Sequence, residues 1–380
     1  MPPAAPATTP EIVPLRFSDL AGWHLDDHGM AMVAFLRSCR QMLESRPVTG
    51  SLGISGSDLQ AVARQALATE FTRSAAGHID PHAARQFFET WFRPAAVSSP
   101  DTPGFLTGYF EPEVEGSLVP DQQFRYPLYA RPPDLIDVDL AERPAGWDAG
   151  MIFARRAGGT LAPYFDRGDI EDGVLAGQGL ELVYLADPID AYIVHVQGSA
   201  RILLPDGSAL RVAYAAKAGH PYTSIGARLI ERGEIPAGRM TLAALRSWLA
   251  AHPDAARALM RENRSYVFFR VLDSSGLDPD LGAIAAAGVQ ITPGRSLAVD
   301  HHLYTYGTPV WLEARLPLAD DGSDEDLCRL MIAQDTGSAI VGPARGDIFF
   351  GPGDAAEQLA GRIRHPARAF VVLVPRDGAQ

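Results

Sequence analysis

The stretch IAQDTGSAIVGPARGDIFFGPG, from Ile332 to Gly353, holds two aspartates in unlike settings. Asp335 opens Asp-Thr-Gly-Ser at the end of an apolar run, and Asp347 stands in Gly-Asp-Ile-Phe-Phe-Gly. Burial disfavours the charged form of a carboxyl group, and so does a second carboxylate nearby. Ile348, Phe349 and Phe350 offer Asp347 the first effect, and Asp335 offers the second. An aspartic acid raised in this way can donate a proton near neutral pH and later take one back. Asp-Thr-Gly is also the catalytic element of aspartic proteases, whose two carboxylates share one proton about 3 Å apart. That chemistry needs a second such element, or a half-length chain that dimerises. Asp273 leads Asp-Ser-Ser-Gly, and Asp206 and Asp321 each lead Asp-Gly-Ser, so neither condition is met. Protease chemistry is excluded.

The elements that must position these aspartates change character along the chain. Met30 to Leu43, the run after a Ser57 or Asp58 cap, and the run from an Asp80 cap with Pro81 in its first turn read as helices. After Pro103 the texture is mainly β: FLTGYFEPEVEGS, FRYPLYARP, LELVYLADP and DAYIVHVQGSARILLPDGSALRVAYAA, the last with a Pro-Asp-Gly-Ser hairpin turn. Two short helices are expected between Thr241 and Asn263, then strands again, with one more helix capped by Asp354. The fold class expected is mainly β with a helical N-terminal appendage. At 380 residues the chain exceeds one ordinary core. Acidic residues number 46 against 33 basic, a net charge of −13 that disfavours nucleic acid and anionic lipid as partners. Cys39 and Cys328 have no metal-like spacing and are expected as separate thiols. The opening MPPAAPATTPEIVP has neither the basic nor the apolar region of a signal peptide, and residues 1–16 read as a flexible tether.

Longer motifs carry a resemblance. TGYFEPEVEGS, YPLYARPPDL and GLELVYLADPIDAYIVHVQGSARILLPDGSALRVAYAAKAGHPYTSIGARLIERGEIP resemble, in order, the insert domain of the membrane-bound lytic transglycosylase A family. GVQITPGRSLAVDHHLYTYGTPVWLEA and LMIAQDTGSAIVGPARGDIFFGPG are similar to that family's C-terminal domain, named for three aspartates, here Asp300, Asp335 and Asp347. The match runs from Phe105 to Pro375. Ala218 stands where relatives usually have Asn, and Asp169 where Glu is more usual. The resemblance implies a double-psi β-barrel from residues 17–108 plus 265–380, with a second β-barrel, 109–264, inserted and a glycan lying between. It implies cleavage of peptidoglycan between N-acetylmuramic acid and N-acetylglucosamine, with Asp347 as catalytic acid and Asp335 beside it. It further implies a periplasmic location at the outer membrane, a monomer, no cofactor, and cell-wall synthesis or division proteins as further partners.

Such a reaction adds no water. One acid protonates the glycosidic oxygen, and its carboxylate then accepts the proton of the muramyl C6 hydroxyl, which closes on C1. A hydrolase needs a second carboxylate, for which Glu111 is the candidate, and a non-catalytic glycan-binding protein needs none. Candidate substrate contacts are Thr107, Tyr109 and Glu111 where the chain passes between domains, Gln197 and Ser199 at a strand end entering the hairpin, and Asp300. Tyr109 suits stacking on a sugar face or a half-buried core position equally. His301 and His302, read as adjacent residues on a strand, point to opposite faces and hold no metal together.

Of the 33 basic residues only Lys217 is lysine. Either codon usage converted the rest to arginine, or this site needs a compact ammonium that a planar guanidinium cannot replace. On the second reading Lys217 binds a carboxylate or acetamido oxygen of the glycan. Lys217→Arg is then expected to slow peptidoglycan cleavage several-fold at nearly unchanged melting temperature. Wild-type kinetics in that variant would return Lys217 to codon usage.

Overall fold

The computed structural model describes residues 10–98, 104–139, 142–147, 151–273, 275–319 and 321–376. The chain forms two units. The first gathers the described residues of Met1–Phe110, Asp278–Gly351 and Arg362–Gln380, and the second those of Glu111–Leu277 and Pro352–Gly361.

The first unit begins with β1 (Glu11–Pro14), followed by helices α1 (His28–Glu44), α2 (Gly56–Ala68) and α3 (Pro81–Trp91), then β2 (Phe92–Ser98) and β3 (Phe105–Glu111). Asp27, Ser55 and Asp80 cap the three helices by accepting from the amides of Met30, Asp58 and His82. The cap of α2 is therefore Ser55 and not Ser57 or Asp58. β1 pairs with β2 from Glu11 to Pro14, so residues 11–14 are sheet and not tether; residues 1–9 lie outside the described part.

In the second unit come β4 (Glu113–Ser117), β5 (Tyr126–Tyr129), β6 (Ile136–Asp137), β7 (Phe153–Ala157), β8 (Thr160–Ala162), α4 (Arg167–Glu171), β9 (Glu181–Leu185), α5 (Pro188–Gln197), β10 (Ser199–Leu203), β11 (Ala209–Lys217), α6 (Ile225–Glu231), α7 (Leu242–Ala251), α8 (Pro253–Glu262) and β12 (Val267–Val271). Its main sheet runs β12-β11-β10-β4-β9-β5, and a bridge from Ala130 to Phe269 joins the ends. One stretch expected as strand, DAYIVHVQ, is helix α5. Asp187 accepts from the Ile189 amide, Pro188 fits the first turn, and Tyr192, Ile193, Val194 and His195 are all buried. A helix apolar on most sides looks like a strand in sequence.

The chain then supplies β13 (Ser296–Ala298), β14 (Pro309–Leu316), β15 (Glu325–Asp335), β16 (Arg345–Pro352), α9 (Gly353–Ala360) and β17 (Arg364–Pro375). The sheet order is β1-β2-β17-β14-β15-β13-β16-β3, and β17 also pairs with β3. That second pairing closes six strands, β17-β14-β15-β13-β16-β3, into a barrel. Its filling includes Leu106, Leu297, Val310, Met331, Ile348, Phe370 and Val372, with α1 and its buried Phe35 in the same core. A buried ion pair, Arg295 Nη1 and Nη2 to Asp26 at 2.8 and 2.9 Å, ties the segment before α1 to the barrel.

Two boundaries differ from those expected. β12 belongs to the second unit because it pairs with β11, so the return lies after Leu277 and not at 264. Residues Pro352–Gly361, with α9, also belong to the second unit; α9 is preceded by Pro352 with no side-chain cap, so Asp354 sits inside its first turn instead.

Gly346 owes its identity to the barrel filling. A Cβ there would lie 3.0 Å from Leu297, 3.1 Å from Phe370 and 3.2 Å from Leu106. This glycine therefore serves core packing. Gly346→Ala is expected to lower unfolding stability by roughly 1–3 kcal/mol through overpacking. An unchanged denaturant midpoint would show that the core yields at no cost.

Candidate active site

Strand alternation builds the site. On β3, Leu106 faces the core while Thr107 and Tyr109 face the other way; on β16, Ile348 faces the core while Arg345, Asp347 and Phe349 take the opposite face. β3 and β16 are neighbours, so these five side chains share one outer face of the barrel. β13 lies between β16 and β15, and Ala298 is in register with Asp347 on one side and Asp335 on the other. The two aspartates therefore sit two strand spacings apart, about 9.5 Å in backbone separation.

Thr107 Oγ1 donates to Asp347 Oδ1 at 2.5 Å. Arg345 Nη2 donates to the same Thr107 oxygen at 2.7 Å, and Arg345 Nη1 to the Gly346 carbonyl at 2.5 Å. Asp347 is half-buried, and the protein crowding its carboxyl raises the pKa to about 6. The Thr107 hydrogen bond and the Arg345 charge oppose that rise, and the Asp335 charge adds to it. Of the apolar residues expected to shield Asp347, only Phe349 shares its face. Phe349 is buried, and its ring lies 5.2 Å from that of Tyr109.

Asp335 is held differently. Its Oδ1 accepts from the amides of Thr336 at 2.9 Å and Ala286 at 3.3 Å, and its Oδ2 accepts from Tyr109 Oη at 2.9 Å. Burial raises its pKa as well, but these three donors favour the anion. Burial and the adjacent charge push the Tyr109 hydroxyl well above its ordinary pKa, so it stays a donor. The arrangement thus holds one carboxyl ready to keep a proton and one pinned as an acceptor.

Asp300 is buried, with Oδ1 on the His302 amide at 3.0 Å and Oδ2 on the Gly342 amide at 2.9 Å. Both oxygens fasten backbone, including the loop that joins β15 to β16. His301 and His302 follow β13 in a turn and not on a strand, which is why their ring centroids lie only 3.9 Å apart. Among the described residues no group of three or more His, Cys, Asp or Glu could hold a metal ion.

The remaining sequence candidates lie in the second unit. Glu111 is fully buried, and its Oε2 accepts from Arg201 Nε and Arg211 Nη2, each at 3.0 Å. It is an internal ion-pair residue and not an exposed ligand contact. Gln197 ends α5, Gly198 turns the chain with φ 80°, and Ser199 starts β10. Lys217 is the last residue of β11, half-buried opposite Val267.

Arg345 escaped the sequence reading, although its signal was present: two positions before Asp347 on a strand means the same face. Ala298 and the Ala286 amide carried no signal, since they matter only through strand order and loop placement.

Comparison with known proteins accords with this architecture. The model of the MltA specific insert domain matches residues 105–270, and that of the 3D domain matches residues 295–373. A membrane-bound lytic murein transglycosylase A of Vibrio cholerae is 35% identical over 268 residues, 70% of this chain and 64% of that protein. This chain thus matches less than two thirds of that relative's length. The crystal structure of a membrane-bound lytic murein transglycosylase from Agrobacterium tumefaciens superposes with a TM-score of 0.86 at 41% identity, covering 97% of this chain and 99% of the other. Escherichia coli MltA with bound chitohexaose superposes with a TM-score of 0.63 at 26% identity, covering 96% and 91%. With both domain types in order and a relative matched along nearly its whole solved length, this chain belongs to the membrane-bound lytic murein transglycosylase A family.

Proposed function

We propose that this protein is a peptidoglycan lytic transglycosylase that cleaves the β-1,4 bond between N-acetylmuramic acid and N-acetylglucosamine and leaves a 1,6-anhydromuramyl end. The observation that carries the reading is the Asp347 carboxyl, raised to about 6 and held on one oxygen by Thr107. Asp347 protonates the glycosidic oxygen as the bond to C1 breaks and positive charge develops on the sugar. The Asp347 carboxylate then removes the C6 hydroxyl proton, and O6 bonds to C1. The proton removed from O6 restores the acid, so the cycle closes with no water consumed. Asp335, pinned by its three donors, lends negative potential to the developing cation. Glycan strands are the substrate; the chitohexaose held by the Escherichia coli relative is a chemically similar polymer of β-1,4-linked N-acetylhexosamines.

Hydrolysis calls for a second carboxylate free to take a proton from water. Asp335 is occupied by three donors and Glu111 by two guanidinium groups. Lyase chemistry fits this better than hydrolysis. Among the described residues no helix is long and apolar enough to cross a membrane. The family context supports a periplasmic place at the outer membrane, next to the substrate.

Digestion of purified peptidoglycan is expected to release muropeptides one water lighter than hydrolysis products, with no reducible muramyl end. Mass spectra showing only reducing ends would assign hydrolysis. Asp347→Asn is expected to cut turnover by at least ~10²–10⁴-fold while glycan binding persists; near-normal turnover would remove Asp347 from the mechanism. The same variant carries a stability signature. The folded pKa of about 6 exceeds the ordinary 3.8, so the native state binds the extra proton. The stability this gives is complete below 3.8 and lost as pH rises through about 6. Asp347→Asn is therefore expected to melt higher than wild type at pH 7, with the gain shrinking at pH 4. A gain independent of pH would point to packing instead of ionisation.

A further inference from the structure

Asp347 has two oxygens, and the reaction is served only if the transferable proton sits on the one that faces substrate. The Thr107 hydroxyl has one proton to give and two lone pairs. One lone pair is filled by Arg345 Nη2 at 2.7 Å. A guanidinium accepts no hydrogen bond and does not lose its proton in proteins. The Thr107 proton therefore cannot turn towards Arg345, and Asp347 Oδ1 lies 2.5 Å away to receive it. Arg345 is itself fixed, by Nη1 on the Gly346 carbonyl and by the Phe105 ring, whose centroid lies 5.6 Å from the guanidinium carbon. Phe105 and Thr107 alternate on β3 as Arg345 and Asp347 do on β16, so the four side chains interlock on one face.

We propose that Arg345 is a positioning residue: by holding Thr107 as a donor to Asp347 Oδ1, it confines the transferable proton to Asp347 Oδ2. The inference rests on the reading of Asp347 as the acid. Without Arg345 the Thr107 hydroxyl can rotate and accept from Asp347, which turns the proton away from the glycosidic bond. A lysine would keep the charge but not the fork that engages Gly346 and Thr107 together.

The test is a double-mutant cycle read by the 13C NMR titration of the Asp347 carboxyl, assigned with Asp347→Asn, in wild type, Thr107→Val, Arg345→Met and the double variant. Both single changes are expected to raise the midpoint, and the effect of Arg345→Met should fall to less than half in the Thr107→Val background. Turnover of Arg345→Met should drop at least about tenfold with KM little changed, as for a misaligned reacting group, and Arg345→Lys should not restore it. Additive titration shifts, or full rescue by Arg345→Lys, would reduce Arg345 to a nearby charge and overturn the proposal. A raised KM at unchanged kcat would make Arg345 a substrate contact and overturn the proposal equally. Should Arg345→Met fold poorly, Arg345→Gln enters the same cycle. The titration needs no turnover, so an active Asp347→Asn enzyme, which would end the acid assignment, is a separate result.

Discussion

One alanine keeps the two carboxylates apart. Ala298 sits on the short strand between β15 and β16, in register with Asp335 and Asp347 at once. Backbone hydrogen bonds, not side-chain adjustment, therefore set the separation of the aspartates. At that distance they do not share a proton as a close dyad must. Each can take its own state, and the surroundings decide which.

The division of labour follows from donor count. Asp335 collects two amides and a phenol, whereas Asp347 receives one hydroxyl. Similar crowding raises both carboxyl groups, and the donors on Asp335 oppose that rise where Asp347 has only one hydroxyl. Holding an ionised Asp347 at neutral pH is a cost to folding, and the fold tolerates it because the opposite face of the same strands is densely filled. Ile348 and Leu297 lie in the barrel core, and Trp311 and Phe35 are fully buried in the same cluster.

How far the sequence revealed this depends on the kind of information involved. Strand alternation was readable, and it put Thr107 with Tyr109 and Asp347 with Phe349. The long ordered motifs identified the two β domains and singled out Asp347. Which strands become neighbours is a property of closure, so Ala298 between the aspartates could not be read. The helix α5 hid because its residues are apolar on nearly every side, which erases the period that distinguishes helix from strand. Glu111 looked available because an acidic residue in a β motif is usually exposed; only the register of β10 and β11 reveals the arginines that enclose it. The pairing of β1 with β2 was masked by a proline-rich composition that reads as tether.

The barrel draws β3 from before the insert and its five other strands from after it. Closing so long an intervening chain is slow when that chain is disordered. Folding of the intervening strands shortens the problem. Strands β4 and β12 stand three places apart in one sheet, about 14 Å, so a folded insert brings the flanking chain ends within reach of each other. β3 must nevertheless wait for β16 and β17, the last two strands of the chain, before it has a neighbour on either side. During synthesis the face that carries Thr107, Tyr109 and Asp347 thus assembles only once β16 reaches β3, and the barrel closes only when β17 joins them.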